Sequence, residues 1–486
     1  MPLNRRQFLW LGATTFALTA CQSAAPPPIA SPTPTASVGP NPLDVLFATA
    51  PVFIAHRGSG DNWVEHTFDA YTRSIAFGAP AVEVSVGASS DGVLLCHHDA
   101  TTTRMTGEQL VIAETSWDTL SGLHNDAREW LGPSAALQPI PRLDDVLTAV
   151  AHQNVVFIED KQGTHQPQLV SLMKSFPEAT SHFVWKQSVE YEPPAAILAA
   201  GYKTWGYFTK DLYARAEELG AAHDYLGVEH SATDAEIAQV VALGKPVVAW
   251  PIHYRSMRDR MLSLGVTGMM CSNVPYASTA VPSATTDAFA SGLRAPGDLP
   301  WTMDKGTELQ PVITAETASI AISAKGTQSY LMGSLCPVPA DAYTLTFEMR
   351  WPSELPPDSS DHAGIAFGTP DDRPYRVRIV GDTPGYHVTV RASGRVELFS
   401  RAAQTKRGAS LGAIRTAATR PGQWIRLQIT VTPGGIRVSR VDGVGWSLDS
   451  SDTSYRGQYF WLCKNYYAGP PVEFRSISVT PVSDQE

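Results

Sequence analysis

Nine apolar, strand-like runs between residues 44 and 280 constrain the fold of this 486-residue chain more than any other feature. They are 52–58 (VFIAHRG), 81–86 (AVEVSV), 93–99 (VLLCHHD), 155–161 (VVFIEDK), 182–187 (HFVWKQ), 203–209 (KTWGYFT), 225–230 (YLGVEH), 247–253 (VVAWPIH) and 266–272 (VTGMMCS). Most are separated by stretches long enough for a helix, the pattern of βα units around a parallel sheet. The second and third are joined only by the six residues Gly87 to Gly92, whereas a parallel neighbour needs a crossover of roughly a dozen. The third run therefore returns antiparallel as a hairpin arm. Eight strands remain, the count of an α/β (β/α)8 TIM barrel, with the arm among the loops of its C-terminal mouth.

Beyond residue 280 the helical periodicity stops, and alternating strands follow, among them YTLTFEMRW from Tyr343, WIRLQITV from Trp424 and VEFRSISVTPV from Val472. Their turn spacing predicts an all-β sandwich. Gly422-Gln423-Trp424 and a last strand carrying Phe474 resemble concanavalin-like jelly rolls. The expected organisation is a signal peptide (1–21), a Pro/Ser/Thr-rich tether (22–43), the barrel (44–282), a linker (283–310) and the sandwich (311–486).

At the N-terminus, Arg5-Arg6 precede an apolar run of export-signal length, shorter than a spanning helix. Asn4-Arg5-Arg6-Gln7-Phe8-Leu9 resembles a Tat signal, and Leu18-Thr19-Ala20-Cys21 resembles a bacterial lipobox. Both imply export and lipidation of Cys21, anchoring the protein at the extracytoplasmic face of a bacterial membrane. Of the other four cysteines, Cys336 and Cys463 are the expected disulfide pair, and Cys96 and Cys271 the expected buried thiols. A net charge of -10 argues against a nucleic-acid partner.

Alternation along a strand puts Ala81, Glu83 and Ser85 on one face and Val82, Val84 and Val86 on the other. It likewise puts Phe157, Glu159 and Lys161 together, with Asp160 opposite. Four strand ends thus bring His56-Arg57, Glu83, Glu159-Lys161 and His97-His98-Asp99 to one barrel mouth, where active sites form. Of the adjacent histidines, His97 points to the other strand face and is the less expected catalyst.

Those residues, with Glu65-His66-Thr67, Asp91-Gly92, Arg104, Thr106, Pro141-Arg142-Leu143, Gln187-Ser188, Trp250 and Ser272-Asn273-Val274-Pro275, resemble the glycerophosphodiester phosphodiesterase family over about residues 50–280. The resemblance implies metal-assisted hydrolysis of a glycerophosphodiester, or a related lipid-derived substrate, to sn-glycerol 3-phosphate and an alcohol. His56 and His98 occupy the acid–base positions, a role suited to imidazoles that titrate near neutral pH. A cyclic phosphate is the expected first product. Arg57 and Lys161 match phosphate-binding positions, Trp250 a pocket residue, and Glu83 and Glu159 two ligands for one Mg²⁺ or Ca²⁺.

Ser85 stands where the family has a second acid on the Glu83 face, and water or substrate phosphate would have to complete the coordination. Asn273 and His66 replace an Asp and an Asn, and both read as supporting residues. Two alternatives accompany this reading: a phospholipase D or sphingomyelinase D-like enzyme, and a catalytically silent surface lipoprotein whose sandwich binds glycan.

Overall fold

The computed structural model describes residues 41–482 except 153, 300–310, 323–327, 378, 444 and 467–468. The signal peptide, Cys21 and most of the tether lie outside the described residues.

We number the strands of the first sheet β1 (Val52–Ala55), β2 (Ala81–Ala88), β3 (Leu94–Cys96), β4 (Val155–Asp160), β5 (Phe183–Ser188), β6 (Lys203–Tyr207), β7 (Tyr225–Glu229), β8 (Val247–Ile252) and β9 (Gly268–Cys271). Hydrogen bonding runs β1-β9-β8-β7-β6-β5-β4-β2, and β2 pairs back onto β1 through Ile54↔Ala81 and Ala55↔Val82, closing an eight-stranded parallel barrel. The expected hairpin arm is β3, antiparallel to β2 with Val86 opposite Cys96.

Strand alternation sets the two sides of the barrel wall. Val82, Val84 and Val86 pack outward with helix residues such as Leu143, Val146 and Leu147. Ile54, Ala81, Phe157, Val184, Trp205, Val248 and Met270 fill the interior. The floor of that interior is plugged by the helix Pro42–Leu46, whose Leu43 and Leu46, one turn apart, enter the same cluster. Asn41 caps this helix by accepting from the Leu43 amide at 2.9 Å, with Pro42 at the first helical turn. Residues 42–43, expected as tether, are thus helical and bound to the barrel.

The C-terminal region is all-β, as expected. A seven-stranded antiparallel sheet (order 312–314, 319–322, 472–481, 343–350, 425–432, 435–440, 446–450) and a six-stranded one (328–331, 459–464, 363–369, 385–390, 395–401, 409–415) share one apolar core. Phe347, Trp351, Ile365, Leu427, Phe460 and Phe474 are buried there.

Two expectations about this region are corrected. Cys336 and Cys463 are both buried free thiols, as are Cys96 and Cys271. In an apolar core a thiol packs as a small hydrophobe and needs no bridge. The described part of the 283–310 linker is docked: Phe289 is fully buried in the sandwich core. Arg294, also buried, hydrogen-bonds the Trp130 carbonyl of the barrel and the Tyr330 hydroxyl of the sandwich. Asp372 of the sandwich accepts from the Arg255 and Ser256 amides (2.6 and 2.9 Å) at the start of the barrel helix Arg255–Ser263, and from the Tyr276 hydroxyl at 2.9 Å. A carboxylate on helix amides stabilises the helix start. Barrel and sandwich therefore form one compact unit. Among the described residues no helix is long and apolar enough to cross a membrane.

Candidate active site

At the mouth, β1 runs into a tight turn, His56-Arg57-Gly58. Arg57 adopts left-handed φ 53°, a conformation side chains take at a cost. Gly58 (φ 77°) passes so close to the helix Phe68–Ala76 that a Cβ there would lie 2.8 Å from the Ala70 Cβ, so only glycine fits. The turn aims the Arg57 amide at Glu83 Oε2, 2.9 Å away. His66 holds φ 55°, and its amide donates to the Arg57 carbonyl at 2.9 Å. Histidine and asparagine are both enriched in that left-handed region, which explains how one replaces the other in Glu65-His66-Thr67.

The two proposed acid–base residues have different supports. His56 Nδ1 lies 2.8 Å from the Ser272 hydroxyl on the loop after β9. Burial, then neighbouring Arg57, hold the His56 pKa well below 6.5. His98 Nδ1 lies 2.8 Å from Asp99 Oδ1, and the His98 side chain is 29% exposed. Burial lowers the His98 pKa too, although the Asp99 hydrogen bond opposes the fall. Behind Asp99 runs a chain of ion pairs: Arg104 Nε donates to Asp99 at 2.7 Å, Arg104 Nη2 to Glu65 at 2.5 Å, and Arg57 Nη1 to Glu65 at 3.3 Å. Burial would raise the Glu65 pKa, but the two guanidiniums hold it far below the usual carboxylate range. His97 is buried with Nε2 3.1 Å from the Thr101 carbonyl, a structural position.

One layer down, Glu83 on β2 and Glu159 on β4 face the interior as their alternation requires, and Asp160 turns outward to accept from the Gln162, Gly163 and His165 amides. Lys186 on β5 lies between the two glutamates. Its Nζ is 2.7 Å from Glu83 Oε1 and 2.8 Å from Glu159 Oε2. Ser85 donates its hydroxyl to Glu83 Oε1 (3.0 Å), Tyr207 donates to Glu159 Oε1 (2.9 Å), and Lys161 reaches Glu159 Oε2 at 3.4 Å. Burial alone would lower the Lys186 pKa, yet the two carboxylates hold it above its ordinary value. Burial would raise the pKa of both glutamates, and Lys186 is the largest influence keeping each low. Burial leaves Lys161 lowered, only partly offset by Glu159.

Above this layer is a cavity of about 180 Å³ lined by His56, Arg57, His98, Glu159, Lys161, Lys186, Tyr207, Trp250, Pro251 and Met270. Trp250 stands edge-on to Tyr207, ring centres 5.5 Å apart. The structure thus brings His56, His98, Arg57, Lys161, Trp250 and Glu159 to one cavity, with Glu83 and Ser85 beneath it. Lys186 and Tyr207 join the site without belonging to any motif of the sequence. Both are on the inward parity of their strands, shared with Val184 and Trp205, and that parity was the available signal.

A divalent cation does not fit these residues. Every oxygen of Glu83 and Glu159 already accepts a hydrogen bond, and Ser85 supplies a neutral hydroxyl aimed at Glu83. A hard ion bonded to the same carboxylates would stand within about 4 Å of the Lys186 ammonium. At an effective dielectric of roughly 20, the repulsion of a double charge by a single one at that distance is about 8 kcal/mol, which offsets much of what one carboxylate would gain by binding the ion. Among the described residues there is no group of three or more His, Cys, Asp or Glu arranged to hold a metal.

Within the barrel, residues 56–191 match the model of the Glycerophosphoryl diester phosphodiesterase family. Among curated proteins, the chain is 32% identical over 111 residues to a glycerophosphodiester phosphodiesterase of Caldanaerobacter subterraneus subsp. tengcongensis, covering 23% of this chain and 45% of that one. It is 46% identical over 54 residues to glycerophosphodiester phosphodiesterase GDPD6 of Arabidopsis thaliana, covering 11% and 14%. It therefore spans less than half the length of either relative. Among solved structures, an Oleispira antarctica phosphodiesterase in complex with the product sn-glycerol-3-phosphate aligns at 20% identity and TM-score 0.40, covering 47% of this chain and 95% of that one.

Proposed function

We propose that the barrel hydrolyses glycerophosphodiesters to sn-glycerol 3-phosphate and an alcohol by two-histidine acid–base catalysis. The observation that carries this reading is the meeting of two imidazoles, His56 and His98, with the cations Arg57, Lys161 and Lys186 on one small cavity.

The supports assign the two roles. His56, buried beside cations and bonded to a neutral hydroxyl, is held unprotonated and serves as the base. His98, backed by the Asp99 carboxylate and partly exposed where a leaving alcohol would depart, serves as the acid. In the first step His56 takes the proton of the glycerol 2-hydroxyl, and that oxygen attacks phosphorus. The bond from phosphorus to the alcohol breaks as His98 delivers a proton to the alkoxide, leaving a cyclic phosphate. In the second step His98 takes a proton from water, which attacks phosphorus, and His56 returns its proton to the 2-oxygen as the ring opens. Phosphoryl oxygens gain charge in both transition states, and fixed cations at the cavity lower that barrier.

The N-terminal motifs support an exported protein lipidated at Cys21, which an intact mass of the processed N-terminus would test. Single His56→Ala and His98→Ala variants test the chemistry. Each is expected to lose ~10²–10⁴-fold in turnover of a glycerophosphodiester, the usual worth of one acid–base group. Wild-type turnover in either variant would overturn the assignment.

A further inference from the structure

We infer that Lys186 takes the place of a divalent cation, so that the phosphodiester site of this chain runs on a built-in ammonium. The inference rests on the proposed phosphodiesterase reading for its function, but its structural part stands apart from it.

Three observations carry it. The first is position: the Lys186 ammonium bridges Glu83 and Glu159, the two carboxylates that would otherwise hold an ion, at 2.7 and 2.8 Å. The second is charge. Ser85 puts a neutral hydroxyl on the face of Glu83, and Lys186 brings a positive charge into the same layer. Glu83 and Glu159 are then balanced by Lys186 and Lys161 without an ion. The third is hydrogen bonding. Ser85, Tyr207 and the Arg57 amide each donate to an oxygen of this carboxylate pair, so every one of its four oxygens already has a donor that an ion would have to displace or crowd.

The substitution keeps the chemical service. An ammonium carries three donors, and two of Lys186's are directed at the carboxylates. The side chain also lines the cavity beside His56, His98 and Lys161, which leaves the third donor for a phosphoryl oxygen. The side chain is buried, and its ammonium lies over the Trp205 and Tyr207 rings (5.9 and 5.8 Å from Nζ to the ring centres), a cation–π arrangement that helps hold it in place. A buried cation held in place serves a developing phosphoryl charge in the manner of a metal, with no ion to lose.

The test is run on the purified full chain after treatment with EDTA. Calorimetric titration with MgCl₂ and with CaCl₂, and thermal unfolding with and without each salt, read ion binding whether or not a substrate is known. The expected result is no saturable binding and no stabilisation, together with turnover unchanged by chelator or added ion. One-site binding of either ion to the wild type, or activity that disappears with EDTA and returns with metal, overturns the inference. If no diester is turned over, the phosphodiesterase reading fails and the titration still decides this one. The pair Ser85→Asp with Lys186→Val should acquire one-site Mg²⁺ or Ca²⁺ binding that the wild type lacks. Failure of a folded double variant to bind either ion would count against the assignment of this layer as a converted metal site. If that variant does not fold, the wild-type titration stands alone as the deciding result.

Discussion

Glu65 is fully buried between two guanidiniums, Arg57 at 3.3 Å and Arg104 at 2.5 Å, and it links the turn carrying His56 to the support of His98. Glu65→Gln keeps the size of the side chain and removes its charge, leaving both arginines without their buried counter-ion. Breaking a buried ion pair from one side costs about 3–5 kcal/mol, and the retained amide oxygen places this variant at the lower end. For a barrel of this size that corresponds to a fall in melting temperature of roughly 6–12 °C.

The pH dependence follows from the direction of the Glu65 shift. Its folded pKa is depressed, so its contribution is complete above the unfolded value and is lost as pH falls toward the folded one. Measured by denaturant unfolding, the gap between wild type and variant should be full at pH 7. It should narrow by about 1.4 kcal/mol for each pH unit below roughly 4.3. At pH 7 the variant should also lose turnover, because Arg57 and the Arg104–Asp99 support of His98 both lose their anchor. A gap of the same size at both pH values, or no gap at pH 7, would refute the reasoning.

Further outcomes follow from the same geometry. Both proposed acid–base imidazoles have lowered pKa values, and in that scheme the acid must be protonated while the base is not. The pH profile of kcat/KM should therefore be bell-shaped with its maximum on the acid side of about 6.5; a maximum above pH 7 would contradict the assignment of roles. Asp372→Ala removes three hydrogen bonds joining sandwich to barrel and should destabilise the protein by about 3 kcal/mol with turnover retained, as read by denaturant unfolding beside an activity assay. Thiol counting in denaturant without reductant should find Cys96, Cys271, Cys336 and Cys463 all reactive; two fewer would restore the expected disulfide.

The barrel was legible because its strands carry their information locally. Val82, Val84 and Val86 against Glu83 and Ser85 declare an outer and an inner face, and the short Gly87–Gly92 link forces β3 to turn back. His56, Arg57, Glu159 and Lys161 sit at strand ends, which position alone sends to the mouth. Lys186 was harder to read, because a lysine near the end of HFVWKQ looks like a residue leaving the barrel for water. Its meaning depends on β5 lying next to β4, and β4 next to β2, so that one ammonium meets carboxylates 103 and 27 residues away in the chain. The docked linker escaped for a related reason. Its Pro/Gly-rich composition describes the local chain, whereas Phe289 and Arg294 are buried by partners far away in sequence.

Phosphorus NMR of the wild-type reaction with sn-glycero-3-phosphocholine and sn-glycero-3-phosphoethanolamine tests the central claim most directly. The account predicts sn-glycerol 3-phosphate and the free alcohol from at least one of them, preceded by a transient cyclic glycerol phosphate, and neither signal in His56→Ala. Release of the phosphorylated alcohol with free glycerol, or undiminished turnover in His56→Ala, would contradict it.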